Sequence, residues 1–265
     1  MPDQSRSAPD YGLDAPGVVR NLLIAAGAGL TLAALIWLRL VPAAVTLHLS
    51  RGLALRIGLL GLGLGPAIGF TAAAGAMVWG SRVGKLRRRE QLLDALPWTG
   101  AERVLDVGCG RGLMLIGAAK RLRSGRAVGV DLWRAEDLSG NHPGATLANA
   151  DAEGVRDRVQ VQTADMRQLP FPDQSFDRVL SCAAIHNLTG AGDRAQAIRE
   201  IARVLRPGGF AIIDDIRYPG EYNATFRQAN CSPVRRLDFA PLALLWTLVT
   251  FGSLRPGAWL LHRAP

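Results

Sequence analysis

The sequence predicts an α/β domain, a mostly parallel sheet covered by helices on both faces, preceded by two membrane-spanning helices. Three observations carry this. Strand-like apolar stretches alternate with helical stretches from Arg103 to His262, and repeated strand–helix units build a parallel sheet. Two long apolar runs come first, Leu22–Leu49 and Ile57–Ser81, with Arg39 the one formally charged residue inside them. A glycine-rich turn, Gly108, Gly110 and Gly112, follows the first strand of the α/β part.

Composition sets the bounds. The chain has 265 residues, of which 49% are hydrophobic and 20% charged, which excludes a disordered chain and allows one ordinary domain plus an addition. Its cysteines, Cys109, Cys182 and Cys231, include no C-x-x-C pair. That argues against a disulfide framework or a cysteine-type zinc site and fits a reducing compartment. No metal is expected. The formal net charge is +9, and Lys85 and Lys120 are the only lysines among many arginines, so the position of the charge informs more than its size.

Taken in order, residues 1–20 begin as a polar flexible tail carrying Pro2, Pro9 and Pro16. Residues 21–81 hold the two apolar runs, expected as helices over Leu22 to about Leu47 and Ile57 to about Gly80. The second easily covers a hydrocarbon core of about 30 Å at about 1.5 Å per residue. The first must place Arg39 at the interface or let it snorkel, and Pro42 ends or kinks it. Gly58, Gly61, Gly63, Gly65 and Gly69 would permit close helix packing in lipid. The alternative is a pair of buried core helices. A signal peptide is disfavoured, because Asp3, Asp10 and Asp14 offset Arg6 and Arg20 before the first run.

Residues 82–98 combine a basic cluster, Arg82, Lys85, Arg87, Arg88 and Arg89, with a lead-in helix marked by Leu86, Leu92, Leu93 and Leu96. The cluster outweighs Arg51 and Arg56 between the runs, which predicts a two-span protein of the cell membrane with both ends cytoplasmic. It reads as a topology signal in contact with lipid headgroups. Nucleic acid is not an expected partner, since no aromatics interleave with the arginines.

Residues 99–265 are the α/β domain. Strands are expected at Arg103–Val107, Ala127–Val130, Val159–Gln162, Arg178–Cys182, Phe210–Asp214, Val234–Phe239 and Trp259–His262. Helices are expected near Leu113–Leu122, Ala145–Glu153, Arg194–Val204 and Tyr222–Ala229. The apolar segment 239–254 is expected to pack on the domain or touch the bilayer.

The chemistry centres on Val104-Leu-Asp-Val-Gly-Cys-Gly-Arg-Gly112. An apolar strand ends in Asp106, and the glycines let the backbone turn tightly before a helix N-terminus. A dinucleotide fingerprint reads G-x-G-x-x-G; here the spacing is G-x-G-x-G, and Asp106 would repel a pyrophosphate while suiting an ammonium or sulfonium. This disfavours a nicotinamide-dependent oxidoreductase.

With these motifs the sequence resembles the class I S-adenosylmethionine-dependent methyltransferases, and among them the ubiquinone/menaquinone-biosynthesis group, over about Leu92–Pro265. The resemblance implies a Rossmann-like fold with a seven-stranded sheet. It implies that Asp106, Gly108 and Gly110 hold the methionine part of the cofactor. Asp131 of Val128-Gly-Val-Asp-Leu-Trp133 would bind the ribose hydroxyls. Thr163-Ala-Asp-Met166 matches the adenine site, with Asp165 facing the exocyclic amine and Met166 on the ring. Leu169–Asp177 and Glu200–Gly209 match the family's approaches to its fourth and fifth strands, with Pro207-Gly208-Gly209 a turn.

Loops after strand C-termini build the site in such folds, which puts Cys182 near the methionine end. His186 is read either as a general base or as a hydrogen-bond partner of its own loop. Asp214 and Asp215 either face substrate or satisfy loop backbone. The expected function is S-adenosylmethionine-dependent methyl transfer to a small acceptor at the membrane, a lipophilic one if segment 239–254 contributes to its site. The alternative is a membrane-anchored S-adenosylmethionine-binding or sensing protein without catalysis.

Overall fold

The computed structural model describes residues 8–50, 52–237 and 254–265. They divide into two compact units, one comprising Leu13–Gly84 and Glu136–Ser139, the other the described residues up to Gly12 with Lys85–Ala135 and the chain from Gly140 onward. The expected apolar segment 239–254 lies almost wholly outside the described residues.

In the apolar unit, α1 spans Pro16–Trp37 with a proline in its first turn. It ends about ten residues before the expected end near Leu47. Arg39 takes a left-handed backbone, φ 61°, and Pro42 cannot continue a helix. The rest of the first run instead forms a hairpin, β1 (Ala44–Ser50) and β2 (Leu53–Gly58). Its register pairs Val45 with Ile57 and Leu47 with Leu55, and Thr46 with Arg56 between them. Alternation of apolar and polar residues is the period of a strand, not a helix.

Helix α2 spans Leu59–Trp79, with Pro66 inside, and a π-helical turn follows over Gly80–Gly84. The two helices meet at glycines. A Cβ on Gly29 would lie 2.5 Å from the Gly63 carbonyl oxygen, and one on Gly63 would lie 2.8 Å from that of Gly29. Close backbone approach of this kind serves helix association where solvent offers no hydrophobic drive. Both helices are long and apolar enough to cross a membrane. Leu23, Ile24, Leu30, Leu62 and Ile68 are more than half exposed.

The α/β unit contains, in order, α3 (Lys85–Leu93), β3 (Arg103–Val107), α4 (Leu113–Ala119), β4 (Arg126–Asp131), α5 (Pro143–Ala152), β5 (Val159–Thr163), β6 (Phe176–Cys182), α6 (Ala191–Val204), β7 (Leu205–Asp215), α7 (Pro219–Gln228), β8 (Cys231–Arg236) and β9 (Gly257–Arg263). The sheet order is β5-β4-β3-β6-β7-β9-β8. Strands β3 to β7 pair in parallel, while β9 runs antiparallel to β7 and β8. One core packs Leu92, Leu93, Val104, Leu115 and Ile116 on one face. The other packs Leu105, Val179, Ile198, Ile201 and Phe226 on the opposite face. Strand β7 starts earlier than expected: Leu205 pairs with Phe176 and Phe210 with Arg178, so Pro207–Gly209 form a bulge within it.

Two expectations change here. The tail is not flexible throughout, because Tyr11 is buried at 6% exposure and its hydroxyl donates to Glu153 at 2.5 Å. The Asp10 backbone and the Asn149 amide exchange two hydrogen bonds of 2.8 Å. The basic cluster is not simply a headgroup-facing patch either. Lys85 Nζ donates to the Tyr11 and Gly12 carbonyls, each at 2.8 Å. Arg89 bonds Tyr11, Glu90 and Glu153, and Arg88 bonds Asp214. Arg82 and Arg87 are exposed. Helix α3 carries four basic residues among its nine, Lys85, Arg87, Arg88 and Arg89, and turns some of them onto the domain that its apolar face covers.

Candidate active site

The parallel registers bring the predicted residues to one edge of the sheet. Asp106 of β3 stands beside Gly129 of β4 and Leu180 of β6. It is 1% exposed, and its Oδ2 is buried without a hydrogen-bond partner among the described residues. Burial pushes its carboxyl up to about 7, with the Asp131 charge adding and a backbone hydrogen bond from Leu115 opposing.

The chain then turns at Gly108, φ 74°, whose N–H donates to the Val130 carbonyl at 2.8 Å. A Cβ at Gly108 would stand 2.3 Å from the Ala184 Cβ and 3.7 Å from Met166 Cε. The turn after β3, the loop after β6 and Met166 therefore meet where only a hydrogen fits. The Gly110 N–H donates to Asp131 Oδ2 at 2.8 Å. Asp131 Oδ1 accepts the Trp133 N–H at 2.6 Å and the Asn141 amide at 3.4 Å. Asp131 thus ties the glycine turn to the end of β4 while keeping lone pairs for further donors.

Asp165 lies after β5, and its carboxylate is bracketed by Arg167. Nε stands 3.0 and 3.1 Å from the two oxygens, and NH2 2.6 Å from Oδ2. That contact is the main reason its carboxyl sits below the usual range. Arg167 also reaches Asp193 at 3.3 Å.

Cys182 ends β6 opposite Asp214 of β7, with its Sγ 3.8 Å from Asp214 Oδ2. Burial pushes its thiol well up, and the charges of Asp214, Asp106 and Asp215 add to this. It is a neutral thiol rather than a nucleophile. Asp214 is held by Arg88 through two bonds of 3.2 Å. Burial raises its carboxyl and Arg88 opposes the rise.

His186 sits in a short helical turn, Ile185–Asn187, two residues beyond the Ala184 that packs on Gly108. Its Nδ1 lies 2.5 Å from Asp215 Oδ1, and its backbone N–H donates to Asp215 Oδ2 at 3.1 Å. Asp215 also accepts the Ile216 N–H at 2.7 Å and the Tyr222 hydroxyl at 3.3 Å. The acidic pair therefore divides: Asp214 serves Arg88, and Asp215 serves both the His186 ring and loop backbone.

Asp106, Gly108, Gly110, Asp131 and Met166 converge at the ends of β3 and β4, with Cys182 and His186 at the adjoining end of β6. Asp165 is engaged by Arg167. Arg88, Asn141, Arg167 and Tyr222 were not singled out by sequence. Arg88 was grouped with a basic run, and nothing local marks the others. Among the described residues no cluster of three or more His, Cys, Asp or Glu has a metal-holding arrangement.

Residues 105–213 match the methyltransferase-domain family. The chain is 38% identical over 130 residues to the methyltransferase GfsG of Streptomyces halstedii, covering 49% of this chain and 43% of that one. It is 32% identical over 134 residues to the ubiquinone/menaquinone biosynthesis C-methyltransferase UbiE of Geobacter sulfurreducens, covering 50% and 49%. It thus spans less than half the length of these two relatives. Among solved structures, a geranyl diphosphate methyltransferase in complex with S-adenosylmethionine superposes with a TM-score of 0.55 at 18% identity, over 68% of this chain and 85% of that one. The match to the methyltransferase-domain family thus covers residues 105–213, and the α/β unit shares the fold of that solved methyltransferase.

Proposed function

We propose that the chain is a membrane-anchored, S-adenosylmethionine-dependent methyltransferase acting on a small molecule, with its α/β domain on the cytoplasmic side. The observation that carries this is the unpartnered buried oxygen of Asp106 beside the Gly108 turn. A buried acceptor without a donor is costly, and a ligand ammonium would complete it. Asp106, Gly108 and Gly110 would hold the methionine end of the cofactor, Asp131 its ribose, and Met166 and Asp165 its adenine end. The cofactor supplies an activated methyl group on a sulfonium, so positioning and exclusion of water provide much of the rate. Cys182 lines the methionine end as a neutral, small side chain.

The test is calorimetric titration of the detergent-solubilised full chain with S-adenosylmethionine and S-adenosylhomocysteine. Binding of both is expected; a folded chain that binds neither removes the reading. The rival, a binding or sensing protein without catalysis, is disfavoured by the His186–Asp215 pair, which a pure sensor does not need. The anchor rests on α1 and α2. A reporter active only in the cytoplasm should work when fused after Glu90 and fail near Gly52. Activity at both positions would rule out α1 and α2 as membrane spans. Arg82 and Arg87 are then the residues left to meet anionic headgroups.

A further inference from the structure

We propose that His186, oriented by Asp215 and Tyr222, is the base that takes the proton of a hydroxyl acceptor, so that the substrate is an acidic alcohol of the phenol or enol class and the product a methyl ether. This rests on the methyl-transfer reading above and specifies the acceptor atom.

The geometry fixes the ring's chemistry. A carboxylate 2.5 Å from Nδ1 selects the tautomer with the proton on Nδ1, which leaves the Nε2 lone pair as the acceptor. Asp215 is surrounded by donors. Besides the His186 ring it accepts the His186 and Ile216 backbone N–H groups and the Tyr222 hydroxyl, and its side chain is only 2% exposed. Nε2 makes no hydrogen bond among the described residues, and the His186 side chain keeps 15% exposure. The charged and titratable groups around the pair include Asp214 and Cys182, both of which feel the Asp215 charge, Tyr222, which donates to Asp215, and Arg194 and Glu221, which act on Tyr222 and are bonded to each other. Tyr222 stays protonated, because burial and the Asp215 charge both push its hydroxyl up.

The loop carrying His186 packs on the glycine turn through Ala184 and Gly108, which sets His186 beside the proposed methionine end of the site. The step balances with these parts. The acceptor oxygen forms a bond to the methyl carbon, and the methyl–sulfur bond breaks with its electron pair going to sulfur. The hydroxyl proton passes to His186 Nε2 and then to solvent, and Asp215 stabilises the imidazolium formed. A thiolate already ionised at neutral pH would need no such base. A phenol, ionising near pH 10 like tyrosine, does. A direct attack by oxygen requires one proton removed from the attacking atom itself, which is what a single oriented base performs.

The experiment uses the full chain in detergent with methyl-labelled S-adenosylmethionine and a panel of 4-alkylphenols from ethyl to dodecyl, 2-naphthol, 4-nitrophenol and benzenethiol. Methyl ethers of the alkylphenols or naphthol are expected. His186→Ala and Asp215→Asn should each slow these by about 100-fold or more, the scale of general-base catalysis. The rate on 4-nitrophenol, already substantially ionised at neutral pH without a base, should fall by less than about 10-fold. Affinity for S-adenosylhomocysteine should change less than about twofold, which separates this proposal from the cofactor-binding reading. Tyr222→Phe should retain the ether product at a reduced rate with a shifted pH profile. Independently, the ring-nitrogen NMR shifts of labelled His186 should report the proton on Nδ1 and lose that preference in Asp215→Asn, since the carboxylate selects the tautomer. The proposal is overturned if no hydroxyl compound is methylated while S-adenosylhomocysteine binds, or if the methyl group arrives on carbon. It is equally overturned if His186→Ala leaves the phenol rates intact, or if the His186 tautomer ignores Asp215→Asn.

Discussion

Replacing Gly108 by alanine isolates the feature that shapes the site. Two terms oppose the substitution. The backbone is left-handed, φ 74°, which costs an L-residue about 1–2 kcal/mol. The new Cβ would also stand 2.3 Å from the Ala184 Cβ, and overpacking of this sort costs about 1–3 kcal/mol. The sum is about 2–5 kcal/mol. Gly208 supplies the control, because its φ is 73° yet nothing lies within 4 Å of its Cβ position. Gly208→Ala should therefore lose only the backbone term. For a domain of this size a kcal/mol moves Tm by about 2–4 °C. Gly108→Ala should fall at least about twice as far as Gly208→Ala in thermal unfolding at fixed detergent. Adding Ala184→Gly to Gly108→Ala should return most of the difference. Equal losses at Gly108 and Gly208, or no recovery in the double variant, would refute the claim that the two loops interlock at the turn.

Asp106 gives a pH signature. Its folded carboxyl titrates at about 7 and its unfolded one near 3.9, so the folded chain holds the extra proton between those values. Stability should then decline as pH rises from about 4 to about 7, and Asp106→Asn should flatten that slope in unfolding scans. Binding of S-adenosylhomocysteine below pH 7 should release a proton in wild type but not in Asp106→Asn, as read by calorimetry in buffers of different ionisation enthalpy. Asp131→Ala should weaken that ligand by about 1.5–3 kcal/mol, the scale of hydrogen bonds to a charged group; wild-type affinity would remove the ribose assignment. Gly63→Leu should destabilise the helix pair because its Cβ position lies 2.8 Å from the Gly29 oxygen, whereas Gly65→Leu, with nothing within 4 Å, should be tolerated; equal unfolding temperatures would contradict the glycine crossing.

Much of the fold was legible in the sequence because it is written in local periods. Strands β3, β4 and β6 fall within two residues of expectation, since buried parallel strands are short apolar runs bounded by turns. Asp106, Gly108, Gly110 and Asp131 come together because each lies at or just beyond a strand end, and parallel registers stack strand ends. Composition alone misled at Leu38–Leu49, where apolar content hid a strand period that Arg39 and Pro42 separate from the helix. The tail misled for a different reason: Tyr11 is held by Glu153, Arg89 and Lys85, partners far along the chain that no local pattern announces. The same holds for the dyad. The sequence offered His186 and an acidic pair after β7 without saying which acid serves the ring. Adjacent residues on a strand point to opposite faces, so Asp214 meets Arg88 from α3 and Asp215 meets His186 and Tyr222. That choice is set by the pleat of β7 and by what each face of the sheet packs against, and only the tertiary structure could make it.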